Sequence, residues 1–387
     1  MRITWGNYNM SEKSVVWFAP FTLNVSKVDV LKKVIDAVEF GKSIKKGALT
    51  AVKLHFGEKG NDAYIRPIFI RAVVDEIKKF GGNPFLVDSN TLYQGSRKNS
   101  VDHLMTAIEN GFGYEVTGAP TIIADGLTGN DFREVEINGD YFKKVKISSA
   151  IREADAIVVV SHFKGHVSAG YGGAIKNLAM GCAPARGKKE QHAIRLKVDQ
   201  SKCIGCGRCS RNCPSGAITM VNTENGVKSS IDINPCIGCC ECMTVCPKGA
   251  INMMWTANDD RRSFCCRMAE YAYGAIKDKG RPIFITAMMD ITPLCDCCGW
   301  SDEPIVPNIG FAASTDPVAL DKACYDMVCE IDGSCHAKQH FHAGEDKFAL
   351  LHPQTAPHAQ FEHGEKIGMG STDYELRRIY IEEGEGE

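Results

Sequence analysis

The sequence predicts an α/β protein: a mostly parallel sheet with flanking helices, interrupted by a small inserted domain. Three observations carry that reading. Short apolar runs, of the kind found in strands buried on both faces, alternate with segments of helical period. A middle stretch has another texture, with cysteines at regular spacing. Beyond it the strand-and-helix alternation resumes, which argues for one layered body with an insert. A chain of 387 residues has the length for this. The expected division is 1–190 for the first part of the α/β domain, 191–254 for the insert, and 255–387 for the second part with a C-terminal wrap.

Five apolar runs before the insert read as buried parallel strands: Ser14 to Phe18, Leu49 to Phe56, Asn83 to Asp88, Thr121 to Ala124 and Ala156 to Ser161. Helical segments lie between them. Val28 to Phe40 follows Ser26, whose hydroxyl can accept from a free N–H of the first turn, and stops at Gly41. Pro67 to Phe80 opens with a proline, whose fixed φ suits a first turn, and ends at Gly81 and Gly82. Ser100 is the expected cap of Val101 to Asn110. After the insert, Arg261 to Lys277 reads as a helix and Pro282 to Ala287 as a strand. A further strand is expected near Ile309 to Ala312, then a helix from Asp316 and Pro317 to about Glu330. The remainder reads as an extended, partly helical wrap.

The insert contains an internal repeat. CIGCGRCSRNCPSGAITM, from Cys203 to Met220, and CIGCCECMTVCPKGAINM, from Cys236 to Met253, match at 11 of 18 positions without a gap. Each carries C-x2-C-x2-C-x3-C-P, the spacing of bacterial two-cluster ferredoxins. A tight loop presents three thiolates to one cluster, and the fourth Cys of each run, held by the proline, reaches the other. Cys203, Cys206, Cys209 and Cys246 are therefore the expected ligands of one [4Fe-4S] cluster, and Cys236, Cys239, Cys242 and Cys213 of the second. Zinc ribbons would need two C-x2-C pairs per ion and give no reason for x3-C-P in both copies. Cys240 is expected to be a free thiol. The insert is thus read as a ferredoxin-like α+β domain, and its oxygen-sensitive clusters point to an anaerobic or microaerobic host.

Composition narrows the function classes. With 45 Lys+Arg against 47 Asp+Glu, the net charge of -2 gives no whole-chain attraction to nucleic acid or anionic lipid. Apolar residues at 44% and charged residues at 24% exclude disordered and fibrous classes. No apolar run approaches membrane-spanning length, and MRITWGNYNMSEK lacks the apolar core of a signal peptide. A cytoplasmic protein is expected. In that reducing setting, 18 cysteines mean metal or redox chemistry rather than a disulfide framework.

Four patches are candidates for chemistry on the α/β body. Lys53 and His55 lie at the end of a strand, where open α/β sheets bind ligands. His162, Lys164 and His166 also follow a strand, and Gly170, Gly172 and Gly173 then precede a helix. Glycines there can let backbone N–H groups approach an anion, as in a cofactor site, although neither G-x4-G-K-[ST] nor G-x-G-x-x-G is complete. The third patch is Cys295-Asp296-Cys297-Cys298-Gly299, where thiolates could hold a soft metal or cluster, with Cys182 or His192 completing the set. The pair could instead cycle as a dithiol or pack inertly. The late histidines, His336, His340, His342, His352, His358 and His363, are expected at the surface. Cys265, Cys266, Cys324 and Cys329 are expected to pack in helices.

These stretches together resemble a domain-of-unknown-function family often labelled uncharacterised Fe–S center proteins. The matching segments are HFGEKGN, SHFKGHVSAGYGGAIKNLAMGCAPARGKKEQH, both cysteine runs, CDCCG, PIVPNIGFAASTDPVALDKACYD and GMGSTDYEL. The resemblance implies an inserted bacterial-type two-cluster module in an α/β domain. It also implies that Cys182, Cys295 and Cys297 share one site. The tail from His336 to His363 departs from the pattern and inherits no role.

The expected function is an iron–sulfur oxidoreductase passing electrons through two clusters to a site built by Lys53, His55, His162, Lys164 and His166, for a small anionic substrate. Histidine titrates near neutral pH and can move protons there. The alternatives are an electron carrier or docking protein without its own substrate, or a metal- or cluster-handling protein. Lys197, Lys202, Arg208 and Arg211 would attract an acidic redox partner, and no nucleic-acid or membrane partner is expected.

Overall fold

The computed structural model describes residues 13–93, 95–192, 195–236, 241–254 and 261–380. Seven apolar runs and the C-terminal wrap form one eight-stranded sheet: β1 (Ser14–Pro20), β2 (Leu49–Lys53), β3 (Asn83–Asp88), β4 (Thr121–Ile123), β5 (Ala156–His162), β6 (Ile283–Met288), β7 (Gly310–Ser314) and β8 (Tyr374–Arg378). Their order is β8-β1-β7-β6-β5-β2-β3-β4. From β4 through β3, β2 and β5 to β6 every pairing is parallel. Only β7 is reversed, antiparallel to β1 and to β6, and β8 runs parallel to β1. The protein is therefore α/β with a mostly parallel sheet. All residues of β5 and β6 are buried, which is why those runs are continuously apolar rather than alternating.

Helices cover both faces: α1 (Lys27–Ala37), α2 (Pro67–Lys79), α3 (Ser100–Glu109), α4 (Ala174–Gly181), α5 (Ala185–His192), α6 (Arg261–Ile276) and α7 (Pro317–Glu330). On one face Leu31 and Val34 of α1 and Ile70 and Val73 of α2 pack with Val52, Leu86, Val158 and Ile285. On the other, Leu178, Phe264, Met268 and Val318 pack with Ala51, Val87, Val159 and Phe284. Ser26 caps α1, accepting from Val28 N at 3.2 Å. Asp316 caps α7, accepting from Val318 N and Ala319 N at 2.8 and 3.0 Å. The cap of α3 is Asn99 rather than Ser100: its Oδ1 accepts from Val101 N and Asp102 N, both at 3.0 Å. The Ser100 hydroxyl instead donates to the Gly126 carbonyl.

The chain moves outward from β2 through β3 to β4, then returns to lay β5 on the other flank of β2. Strand order thus reverses between β2 and β5, and the crevice beyond their C-terminal ends is where sheets of this kind receive ligands. The wrap contributes β8, which the sequence reading missed. It is an edge strand with Glu375, Arg377 and Arg378 exposed, and such edges carry charge in place of an apolar run. No helix among the described residues is long and apolar enough to cross a membrane.

The cysteine-rich segment forms two antiparallel pairs, Arg195–Val198 with Ile251–Met254 and Ile218–Thr223 with Gly226–Ile231. Leu196, Ile218 and Ile251 close a small interior with Cys209 and Cys242, against which Cys213, Cys236 and Cys246 pack.

Candidate functional site

Lys53 ends β2 and Asp88 ends β3, and a register that pairs Lys53 with Val87 brings the two ends level. Lys53 Nζ lies 3.1 Å from Asp88 Oδ1, 2.8 Å from the Leu54 carbonyl and 2.5 Å from Asn177 Oδ1 on α4. Three acceptors match the three hydrogens of an ammonium group, so Lys53 is an anchor of the crevice floor. Burial alone would raise the Asp88 carboxyl, but Lys53, His103, His55 and Arg97 outweigh it and hold it well below the usual range.

At the end of β5 a second buried network forms. His162 Nδ1 lies 2.7 Å from Asp296 Oδ1, and its Nε2 faces the Met289 and Asp290 carbonyls at 2.8 and 3.1 Å. Lys164 Nζ is 3.0 Å from Asp296 Oδ2 and donates to the His162 carbonyl at 2.8 Å. Burial pushes the Asp296 carboxyl up, yet His162 and Lys164 keep it well below the carboxylate range. Of the five expected catalytic residues, Lys53, His162 and Lys164 therefore have their polar atoms committed to these networks. His55 and His166 line the adjoining cavity.

Two motif loops interlock over the crevice. The backbone N–H of Glu58 donates to the Asp296 carbonyl at 2.8 Å, and Asn61 Nδ2 donates to the Cys298 and Trp300 carbonyls at 3.2 and 3.1 Å. Gly60 has φ +91°, and a Cβ there would stand 2.5 Å from the Gly299 carbonyl oxygen. Only glycine allows both the conformation and the approach. Glu58 in turn accepts from Arg97 Nε at 3.2 Å.

The cavity, of about 220 Å³, is lined by His55, Arg97, His166, Lys176, Lys188, His192 and Phe264 among others. Its wall is rich in nitrogen bases and cations whose charge burial opposes. Lys176, on the first turn of α4, is pushed down to about 7 by burial, with Lys164 adding to the effect. Lys188 falls to about 8 and His192 to about 4, burial again leading. His55 lies well below the usual histidine range through burial and Arg97, against Asp296 and Asp88. Its Nδ1 accepts from Gly57 N at 3.0 Å, which leaves the ring hydrogen on Nε2. An arriving anion would relieve this crowding of suppressed positive charge.

The first donors after the glycine turn are taken within the chain. Asp321 on α7 already accepts from Ala174 N at 2.7 Å and from Ile175 N at 2.9 Å, the free donors at the start of α4. A Cβ on Gly173 would stand 2.4 Å from Asp321 Oδ1. One on Gly172 would meet Lys176 Cδ at 3.1 Å, and one on Gly170, at φ +80°, would meet Pro357 Cβ at 2.6 Å. These glycines, expected at a cofactor-binding turn, admit a carboxylate of the chain itself, a lysine stem and the C-terminal wrap.

The sulfur site also differs from expectation. Cys295 and Cys297 form a disulfide, and a ring nitrogen of His166 and the two sulfurs lie within 4.8 Å of one another. Cys182 is not part of this group. It is fully buried at the end of α4, where burial raises its thiol to about 12. Cys298 is half-buried beside Cys297 on the cavity wall.

In the insert, Cys203, Cys206, Cys209 and Cys246 line one pocket together with Pro247. That is the set expected from an exchanged fourth ligand. The two repeats share a further feature: Ala217 N donates to Cys213 Sγ and Ala250 N to Cys246 Sγ, both at 3.2 Å. Ser229 N donates to Cys203 Sγ at 3.5 Å, and Ser229 Oγ lies 3.1 Å from Cys209 Sγ. Thiolates approached by amide N–H groups suit an iron–sulfur site, whose sulfur charge such bonds stabilise. Cys239 and Cys240 lie outside the described residues.

A family model described as Domain of unknown function (DUF362) matches residues 50–326. The chain belongs to this DUF362 family. An uncharacterized ferredoxin of Methanocaldococcus jannaschii is 50% identical over 34 residues, 9% of this chain and 44% of that relative. The match thus spans less than half of that relative's length. Among solved structures, the lactate racemase apoprotein from Thermoanaerobacterium thermosaccharolyticum aligns with a TM-score of 0.41 at 13% identity, covering 82% of this chain and 58% of that one. A Thermotoga maritima protein aligns at 0.36 and 11%, covering 78% and 58%.

The DUF362 match encloses all the candidate residues from Lys53 to Cys297 and ends before the late histidines. Of those, His336, His340 and His342 are exposed. His358 is exposed too and bonds to Asp346 at 2.9 Å, while His352 and His363 are buried and bond to the Pro293 carbonyl and Glu270 at 2.8 and 3.1 Å, so these three fasten the wrap. Five residues of the site escaped sequence reasoning as functional groups: Asp88, Arg97, Lys176, Lys188 and Asp296. All but Lys188, which lies within α5, had a local signal, as a charge ending or following a buried strand or opening a glycine-led helix.

Proposed function

We propose that this protein is an iron–sulfur oxidoreductase whose insert delivers electrons to the cationic crevice between β2 and β5, where a small anionic substrate binds. One observation carries the reading. The chain leaves the body for the insert after His192 and is back in it by Phe264, and these two rings stack with centroids 5.0 Å apart and planes 30° apart. Both line the cavity. The electron-carrying segment is thus rooted in the wall of the site it would serve.

Cys203, Cys206, Cys209 and Cys246 would hold one [4Fe-4S] cluster, and Cys213, Cys236, Cys242 and Cys239 the other. Bound clusters supply one-electron transfer. The other roles belong to the chain. Arg97, Lys176 and Lys188 draw an anion into the cavity. His55 presents a ring hydrogen to it, and Lys53 and Asp296 hold the floor. The domain division 1–190, 191–254 and 255–387 follows from the same reading.

The test is anaerobic. After dithionite reduction, small carboxylates and oxyanions are added and reoxidation of the iron–sulfur absorbance is followed. An acceptor that reoxidises the native protein, and His55→Ala at least about tenfold more slowly, about 1.4 kcal/mol of lost transition-state binding, supports the reading. Equal rates for every acceptor overturn it.

Ile204, Cys206, Arg208 and Arg211 are exposed together on the insert, which favours an acidic redox protein as electron donor. Raising salt should slow its electron transfer by screening. A salt-independent rate would count against this partner.

A further inference from the structure

Cys295 and Cys297 lie in the one loop that follows β6, at the rim of the cavity, and only Cys297 of the pair lines it. The grouping of two sulfurs with an imidazole looks at first like a metal site, and a soft cation would be the natural guest. The hydrogen bonds of His166 argue otherwise. Its Nδ1 accepts from Ser168 N at 3.2 Å and from Ala169 N at 3.1 Å. That lone pair is occupied, and burial keeps the ring neutral, so its one hydrogen sits on Nε2. Neither nitrogen has a lone pair to offer a metal. A ligating histidine normally donates its second N–H to an acceptor, and here the second nitrogen faces two donors instead. A neutral ring of this tautomer is a hydrogen-bond donor, which suits a thiolate.

We propose that Cys295 and Cys297 are a two-electron dithiol/disulfide couple of the crevice, with His166 as its positioning residue. In the reductive direction the S–S bond breaks, two electrons enter and two protons arrive from water in the cavity, giving two S–H groups. The reductant is a low-potential one-electron donor of the iron–sulfur class, oxidised twice per disulfide. The oxidative direction returns two electrons and two protons and reforms the bond. Asp296, between the two cysteines, is pinned by His162 and Lys164. The loop is therefore fixed while its flanking sulfurs change state, and the couple would turn over without moving the crevice floor.

The inference rests on the iron–sulfur reading only for the identity of the reductant, and the experiment separates the two. The full chain, purified without air, is equilibrated with mixtures of reduced and oxidised dithiothreitol, quenched in acid and alkylated, and the peptide carrying Cys295 and Cys297 is weighed. The expected result is a single transition in which both cysteines gain a label together. Its steepness is that of a two-electron couple, a tenfold change in the reduced-to-oxidised dithiothreitol ratio giving a tenfold change in the labelled ratio. Cys298→Ser should leave the transition in place, since that thiol is outside the couple. His166→Gln should slow alkylation of the reduced pair at neutral pH by several-fold while leaving two labels. Full labelling of both cysteines in the oxidised protein overturns the proposal. So does protection of both in every mixture with one equivalent of metal bound in addition to cluster iron. Dithionite in place of dithiothreitol then reports on the reductant. Dithiothreitol-only labelling of an iron-loaded protein would sink the iron–sulfur link and leave the couple standing.

Discussion

Oδ1 of Asp296 lies 2.7 Å from Nδ1 of His162, tying the loop of the two redox cysteines to the end of β5. Both side chains are about 1% exposed. Removing His162 takes one of the two partners of this buried carboxylate and leaves it with Lys164 alone, at a cost of about 1–3 kcal/mol. His162→Ala is expected to destabilise the protein by that amount in urea unfolding at pH 7. The Asp296 carboxyl is held well below its ordinary 3.8. A lowered carboxylate contributes stability above its unfolded value and loses it as pH falls toward the folded one. The gap between native and His162→Ala proteins should therefore narrow below about pH 4. Equal gaps at pH 7 and at pH 3.5 would show that the pair carries no charge.

Lys176 gives the crevice its pH dependence. Burial and Lys164 bring it to about 7 from 10.5, so the amine loses its proton just above neutrality. Anion binding favours the charged form, and affinity for a probe such as sulfate or oxalate should fall as pH rises through about 7, by at most about tenfold per unit. Lys176→Met should flatten that profile and weaken binding below pH 7. Stability moves the other way in native protein. Between about 7 and 10.5 the unfolded chain binds more protons at this residue than the folded one, so this term makes stability rise with pH. Calorimetric titration of the anion at pH 6 and pH 8.5 checks the first claim. A pH-independent affinity would remove Lys176 from the anion site.

How much of this was legible beforehand depended on range along the chain. Strands β1 to β7 and the caps Ser26 and Asp316 could be read because an apolar run and a cap are local features. Asn99 was passed over for Ser100 although both are good cap residues, and only the bond from Ser100 to Gly126 decides between them. Strand β8 was not legible, since a short edge strand with only Tyr374 and Leu376 half-buried among charged residues makes too weak an apolar pattern. The two cysteine runs, and the company of Cys246 with Cys203, Cys206 and Cys209, follow from spacing alone. The company of Cys295 did not: His166 rather than Cys182 stands beside it, because the end of α4 turns Cys182 into the core. Lys53 and His162 were found as site residues, but the acceptors that make them anchors, Asp88 and Asp296, become visible only with the sheet register and the folded loop.

Gly173 separates the two accounts of the glycine turn. Asp321 reaches the start of α4 only because no side chain intervenes, and a Cβ at Gly173 would stand 2.4 Å from its Oδ1. Gly173→Ala should therefore displace the carboxylate from Ala174 N and Ile175 N and lower stability by about 1–3 kcal/mol, the usual cost of overpacking a closed site. The midpoint of thermal unfolding reports it. Anion affinity in the crevice should change little in the folded fraction. A variant of native stability with lost anion binding would restore the turn to the ligand site.

The exchanged fourth ligand makes the sharpest prediction for the insert. Cys246 belongs to the second repeat, yet it lines the pocket of Cys203, Cys206 and Cys209. Cys246→Ser should therefore damage the cluster of the first repeat and spare that of its own. In anaerobically purified protein, iron and acid-labile sulfide should fall from about eight to about four per chain. Cys213→Ser should do the same through the other cluster, and the two single variants should leave different spectra, because each retains a different cluster. Cys298→Ser, outside the insert, should keep about eight irons. Cys246→Ser should leave the same residual spectrum as Cys209→Ser; if it matches Cys236→Ser instead, each run holds its own cluster with all four of its cysteines and the exchange is wrong. If native protein carries zinc in place of iron, the donor set has been assigned to the wrong metal and the electron path to the crevice falls with it.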